Sequence, residues 1–465
     1  MEQLKRGIVL VFVANLINLL VSLITGFMLP KYISVETYAA IKSFQLIVGY
    51  IGIMHFGYID GLYLKYGGRE TLSVSAKELN IARTNLFLSQ MLCAVLICIP
   101  AIFARDLVWI MVAICVVPIN MTGLYKSIYQ ATGEFNLYSR VLNYTTLLTL
   151  IFNIMLVFVF KTDNSFYYLS ILVFVYFLVW GIVEVNSIKK FKYKYTFTLR
   201  LSEFYYTCKS GISLTLGNFS SILMTSMDRW FIKLFFNVVD FAYYSFAVSI
   251  QNLLTVFITP IVTTLYNYMC KTIDPDRIKE IKNSCTIFAL YFISTAYGAK
   301  FILEIYLNKY LEANNVIFIL FVTEIFFLII KAVYVNIYKA KKQQKLYFQQ
   351  LSGIIILGVC LNFTAVVIFK SNESIAIASM LSAIVWMVIC EINMPEIRYN
   401  FVEIVTMVIC SSIFLVTGVY LPAIFGFIVY IISISAILFL LQRKNMYRTI
   451  LLAKSMVNSI IKRKI

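Results

Sequence analysis

The sequence predicts an all-α polytopic membrane protein of about 14 transmembrane helices, built as two parallel six-helix repeats and a further helix pair. Three observations predict it. The 465 residues are 61% hydrophobic with a mean hydropathy of +0.85, against the ~45–50% apolar content of soluble domains. Apolar runs of about twenty residues, the length that crosses a bilayer as a helix, recur along the whole chain. Lysine and arginine are also distributed very unequally between alternate connecting segments. A β-barrel would instead show short alternating segments.

Taken in order, the predicted spans are 7–29, 37–56, 84–103, 107–124, 141–160, 166–188 and 211–236. They continue with 241–269, 284–305, 316–338, 346–369, 374–392, 401–420 and 422–441. Lys5 and Arg6 precede the first run. That run is longer than the ~7–15 residues of a signal-peptide core and has no small-x-small cleavage site, so it is expected to be retained. Pro118 and Pro260 fall inside spans and are expected to kink them.

With the N-terminus inside, 30 Lys and Arg fall on inner segments. The five on outer loops are Lys31, Arg105, Lys161, Lys309 and Lys370. Both termini are therefore expected on the cytoplasmic side of the membrane. The net charge of +18 describes a face lying against anionic membrane lipids, with no nucleic-acid partner. The inner segment 189–210 reads as a linker with an interfacial helix, and 442–465 as a basic amphipathic cytoplasmic tail. No phosphate-binding G-x-x-x-x-G-K-[ST] occurs, and no cofactor is expected. The nine cysteines are scattered and His55 is the only histidine, so neither a disulfide framework nor a metal site is indicated.

An internal repeat sets the domain plan. Tyr125, Ile128, Tyr129, Ala131, Leu137 and Tyr138 recur as Tyr334, Ile337, Tyr338, Ala340, Leu346 and Tyr347, at a constant spacing of 209. A weaker echo pairs Val35-Glu36 with Val239-Asp240. Together they predict bundles at 1–188 and 211–393 and an appended pair at 394–441, with a binding path between like-oriented bundles.

Charged residues inside spans carry the functional argument, because each costs roughly 2.5–3.5 kcal/mol at a helix centre. Asp228, Arg229 and Lys233 sit on the seventh span, Lys42 on the second, and Glu324 and Lys331 on the tenth. They read either as a path for a charged solute or as structural ion pairs and snorkelling chains. Glu324 and Lys331 share a face at i,i+7, as a packed salt bridge or as a cavity lining; the sequence leaves both open. Lys300 reads as a surface pair with Glu304 at i+4. Glu184, Glu391 and Glu403, at cytoplasmic ends, read as solvated. His55 reads as a structural helix-end residue, and Gly57, Gly61, Gly67 and Gly68 as a close-packing or hinging turn.

Two stretches give a family resemblance. One is Asp228-Arg229-Trp-Phe-Ile, then Val239-Asp240 and Phe241-Ala-Tyr-Tyr-Ser-Phe-Ala247; the other is Ser34-Val-Glu-Thr-Tyr-Ala-Ala-Ile-Lys-Ser-Phe44 leading to Phe56-Gly57 and Gly61-Leu-Tyr. The sequence resembles polysaccharide transporters of the O-antigen (Wzx) type. These are lipid-linked oligosaccharide flippases and relatives of the multidrug and toxic-compound extruders (MATE) in the MOP superfamily. The resemblance implies a V-shaped pair of six-helix bundles, alternating access and no enzymatic chemistry. The implied substrate is a polyprenyl-pyrophosphate oligosaccharide for O-antigen or capsule, with other polysaccharide-assembly membrane proteins as possible partners. Cavity cations would receive the pyrophosphate, which suits Lys42 and Arg229. A drug or cation antiporter of the same fold is the alternative, and a membrane polymerase or glycosyltransferase a third; polymerases typically need a large outer loop, which is lacking here.

The cation asymmetry makes a testable statement. A reporter active only outside the membrane should stay silent when fused after Ile465 and be active at Asp163; the reverse pattern would invert the topology.

Overall fold

The structure, a computed structural model, describes residues 2–69, 74–191, 196–270 and 274–451. The final residues of the predicted tail (452–465) and the basic stretch 192–195 lie outside the described residues. The described residues form helices and connecting turns with no strand. Thirteen helical segments are long and apolar enough to cross a membrane, which fits the predicted all-α polytopic class. The remaining expected span, 211–236, belongs to a helix that is long enough but too polar to qualify.

The chain divides into two compact units, Met1–Ser226 and Met227–Ile465. In the first, α1 (Glu2–Tyr32) and α2 (Val35–Val48) are followed by a 3-10 turn (Ile51–His55) and α3 (Tyr58–Tyr66). Then come α4 (Ala76–Phe103), α5 (Leu107–Ala131), α6 (Phe135–Ile154) with a π turn at Met155–Val159, and α7 (Ser165–Phe191). Helix α8 (Leu201–Phe235) runs across the division. The second unit holds α9 (Val238–Met269), α10 (Pro275–Phe292), α11 (Ala296–Ile305) and α12 (Asn314–Ile329). A π turn at Ile330–Tyr334 leads to α13 (Val335–Ala340), then α14 (Gln344–Ile368), α15 (Asn372–Asn393), α16 (Phe401–Tyr420) and α17 (Ala423–Leu441). Helices α5 and α9 continue helical through Pro118 and Pro260.

Each unit is organised on one buried helix. In the first, α5 packs against α2, α3, α4, α6 and α7; in the second, α12 packs against α9, α10, α11, α15 and α16. The residues of the 209-spaced repeat close these central helices with the same turn. The Glu134 N–H donates to the Tyr129 carbonyl at 2.8 Å, and the Gln343 N–H to the Tyr338 carbonyl at 2.8 Å. Gly133 (φ 76°) and Lys342 (φ 56°) supply the left-handed residue that this six-to-one bond requires. Further on, Lys161 (φ 47°) and Lys370 (φ 51°) repeat the match. Two residues beyond each, Asp163 Oδ1 accepts from the Ser34 N–H at 2.8 Å, and Asn372 Nδ2 donates to the Asp240 carbonyl at 3.1 Å. Each of these contacts lies within or beside the weak echo of Val35-Glu36 and Val239-Asp240, though through different residues and with opposite donor direction.

The Gly57–Gly61 stretch is a close helix crossing. Gly57 (φ 88°) starts α3, and a Cβ there would meet the α8 backbone at Ile212 and Cys208 within 2.6–2.8 Å. A Cβ on Gly61 would overlap the Thr207 carbonyl, and one on Gly211 the Gly57 carbonyl. His55 is buried as a structural residue: its Nδ1 accepts from the Gly57 N–H at 3.2 Å. The linker differs from the interfacial helix expected over 189–210. Residues 189–191 finish α7, 196–200 are non-helical, and 201–210 begin α8. Polar side chains of α4 hold the non-helical part: Asn80 Oδ1, Thr84 Oγ1 and Asn85 Oδ1 accept from the N–H groups of Thr196, Thr198 and Arg200 at 3.0–3.2 Å.

In the second unit, α16 and α17 are joined to α10 and α11 by polar contacts; three expectations are corrected there, and a fourth, for Glu184, in the first unit. Lys300 is not a surface pair. It is buried, and its Nζ donates to the carbonyls of Gly418 at 2.7 Å and Leu421 at 2.6 Å, with Glu304 at 3.9 Å. These carbonyls at the end of α16 lack intrahelical donors, which draws the ammonium inward. Glu403, expected in solvent, is buried; it closes a capping box with Asn400 and accepts from Asn283 Nδ2 at 2.6 Å. Glu391 accepts from the wholly buried Lys282 Nζ at 2.8 Å and from the Tyr334 hydroxyl, and Lys282 also lies 3.5 Å from the Tyr399 ring centre. Glu184 is paired with Arg83 and with Trp180 Nε1. In each case a neighbouring element supplies a partner that i,i+4 reasoning cannot see, beside local ones such as Trp180 at i−4 of Glu184.

Two variants test this packing. Gly211→Ala should destabilise by ~1–3 kcal/mol through overpacking, read as a lowered melting temperature, whereas Gly67→Ala, whose Cβ meets the Tyr63 carbonyl at 3.4 Å, should be near neutral. Lys282→Met should cost ~3–5 kcal/mol by leaving Glu391 unpaired, and adding Glu391→Gln should recover much of it. Equal melting of the single and double variants would refute the buried pair.

Candidate functional site

The in-span charges of the second unit gather along α9. Its N-terminus is fixed by Asn237, whose Oδ1 accepts from the Asp240 N–H at 2.8 Å. One turn in, the fully buried Tyr244 donates its hydroxyl to Asp228 Oδ2 at 2.7 Å and also meets Ser379. Seven residues on, Gln251 Nε2 donates to Glu324 Oε1 of α12 at 2.9 Å. Positions i and i+7 share a helix face, about 10 Å apart along the axis, so one face of α9 meets both buried acids.

Neither acid forms a direct ion pair with the cation nearest it in sequence. Asp228 and Arg229 are adjacent and make no side-chain ion pair; Asp228 Oδ1 accepts from the Arg229 backbone N–H at 2.8 Å. The Arg229 side chain is half-buried, and its Nε is enclosed without a hydrogen-bond partner. The salt bridge considered for Glu324 and Lys331 is absent. Gln251 reaches Glu324 first, and Lys331 stands on the π turn with its Nζ 5.0 Å from the Phe327 ring centre. Such wide turns within helices often accompany functional positions.

The other predicted residues fall as follows. Lys233 is half-buried on the last turns of α8, with Nζ 5.6 Å from the Phe241 ring centre. Lys42 lies in the first unit on α2, half-buried, 5.2 Å from the Tyr38 ring centre. The second unit therefore brings Asp228, Arg229, Glu324 and Lys331 to the helices around α9. Sequence reasoning missed Tyr244 and Gln251. Their signal was present, a tyrosine and a glutamine seven apart in an apolar run, but tyrosines are too frequent in this chain to single one out.

The arrangement consists of charged and hydrogen-bonding side chains. It offers fixed charges and hydrogen-bond groups within membrane-spanning helices, and no group of three or more His, Cys, Asp or Glu able to hold a metal occurs among the described residues.

No family model and no curated protein matches the chain. Solved structures do. The lipid II flippase MurJ in an inward closed conformation superposes with a TM-score of 0.62 at 13% identity, covering 94% of this chain and 99% of MurJ. An inward-facing multidrug resistance MATE family transporter of the MOP superfamily gives 0.58 at 12% identity, covering 83% of this chain and 95% of the transporter. This polytopic chain carries the fold shared by those two proteins.

Proposed function

We propose that the chain is a flippase that moves a polyprenyl-pyrophosphate-linked oligosaccharide across the bacterial cytoplasmic membrane by alternating access, for surface polysaccharide assembly. The observation that carries the reading is the pair Arg229 and Lys331, two in-span cations without a direct carboxylate partner among the described residues. A cation in an apolar span with no directly bonded carboxylate is costly unless an anion visits it. A pyrophosphate needs such partners to leave water, because its own desolvation otherwise forbids passage. The fold shared with a lipid II flippase supports a lipid-linked cargo. Within this reading Asp228, Lys233 and Glu324 complete the binding set of the second unit, and Lys42 is a separate candidate cation in the first. The polymerase and glycosyltransferase reading lacks support, since both folds compared are transport proteins.

A MATE-type cation antiporter is the second reading. It is favoured by the buried acids Asp228 and Glu324, which accept from neutral donors and are positioned to take a cation instead.

The test separates them. Arg229→Ala and Lys42→Ala should leave protein in the membrane, block surface polysaccharide and accumulate lipid-linked precursor, each losing at least about tenfold in transport. Arg229→Lys should keep partial activity if charge suffices and little if a bidentate contact is needed. Lys309→Ala, on an exposed turn, should match the wild type. Full surface polysaccharide from the double alanine variant would remove the flippase mechanism, and drug export that fails only in Glu324→Gln would favour the antiporter.

A further inference from the structure

We infer that Tyr244 and Gln251 of α9 determine the site's preference for anions by holding its two acids away from its two cations. The inference rests on the reading that Arg229 and Lys331 receive a pyrophosphate. The four charges sum to zero, so two internal ion pairs would leave the site with no donors to offer. A carboxylate enclosed among apolar helices moves toward any cation within reach, because an unpaired buried charge is costly. Here each acid is caught by a neutral donor on the same face of α9: Asp228 by the Tyr244 hydroxyl at 2.7 Å, Glu324 by Gln251 Nε2 at 2.9 Å.

These hydrogen bonds fix where each carboxyl group sits. The Tyr244 hydroxyl is itself held by Ser379, and the ring is fully buried, so Asp228 has a rigid partner. The guanidinium of Arg229 and the ammonium of Lys331 then keep their N–H groups for an incoming anion. Recognition of phosphate by arginine uses those groups in pairs, which a competing carboxylate would occupy. Removing either neutral donor frees the acid to turn onto the cation. Tyr244 and Gln251 thus act through the charged residues as positioning groups.

The experiment measures binding of farnesyl pyrophosphate to the full-length protein in detergent, per folded molecule, with farnesol as the uncharged control. Tyr244→Phe and Gln251→Leu should each weaken binding about tenfold, a coupling of the size found for contacting polar groups. Adding Asp228→Asn to the first, and Glu324→Gln to the second, should restore affinity to within about twofold of wild type, since a neutral amide no longer competes for the cation. Farnesol binding should not change. If Tyr244→Phe does not fold, the Gln251→Leu arm decides. Wild-type affinity in the folded single variants, or no recovery in the doubles, overturns the inference and leaves the two residues as structural satisfiers. Should Arg229→Ala and Lys331→Ala also bind as wild type, the anion-site reading itself falls. If those two weaken binding while the α9 variants do not, only the positioning role falls.

Discussion

A charge placed in an apolar helix has to be met by a polar group from another helix, and in the second unit this requirement fixes which helices adjoin. The Tyr244–Asp228 and Gln251–Glu324 contacts tie α9 to α8 and α12. Lys282 with Glu391 and Tyr334 ties α10 to α15 and to the π turn after α12. Lys300 and Glu304 tie α11 to the turn between α16 and α17. Apolar packing alone is permissive in a membrane, because lipid tails satisfy an apolar face as well as another helix does. Buried polar pairs are not permissive, since a wrong neighbour leaves a donor or acceptor without a partner. They therefore carry the specificity of the arrangement.

The two kinds of buried charge differ in how completely they are satisfied. Lys282 and Glu391 are engaged from several sides by hydroxyl, carbonyl, backbone N–H and ring groups. That saturation belongs to a structural tie. Arg229 keeps an enclosed Nε without a partner, and Lys331 Nζ lies 5.0 Å from the Phe327 ring centre. Within one unit, buried charges thus differ in how fully the fold itself engages them.

The repeat has a physical rather than statistical basis. The turn after each central helix uses the same six-to-one hydrogen bond and a left-handed residue 209 positions apart, glycine in one copy and lysine in the other. Lysine pays a steric penalty there that glycine avoids, so the geometry is imposed by its surroundings and not by local preference.

The sequence alone determined the all-α polytopic class, the position of nearly every span, the repeat and the list of in-span charges. Each is a local property: the bilayer sets the length of an apolar run, and a charge inside one is visible wherever it packs. The expected span 211–236 lies within α8, which is long enough but less apolar than the thirteen helices that qualify by composition. Only the tertiary structure decided the partners. Lys300 was read against Glu304, one turn away, yet its main partners are carbonyls at 418 and 421. Glu324 was read against Lys331, yet its partner is Gln251, 73 residues earlier. Glu403 looked solvated and is buried under Asn283 and Asn445. A helix reveals in its own sequence which side chains share a face, but not which neighbour that face meets, and partner choice rests on the second.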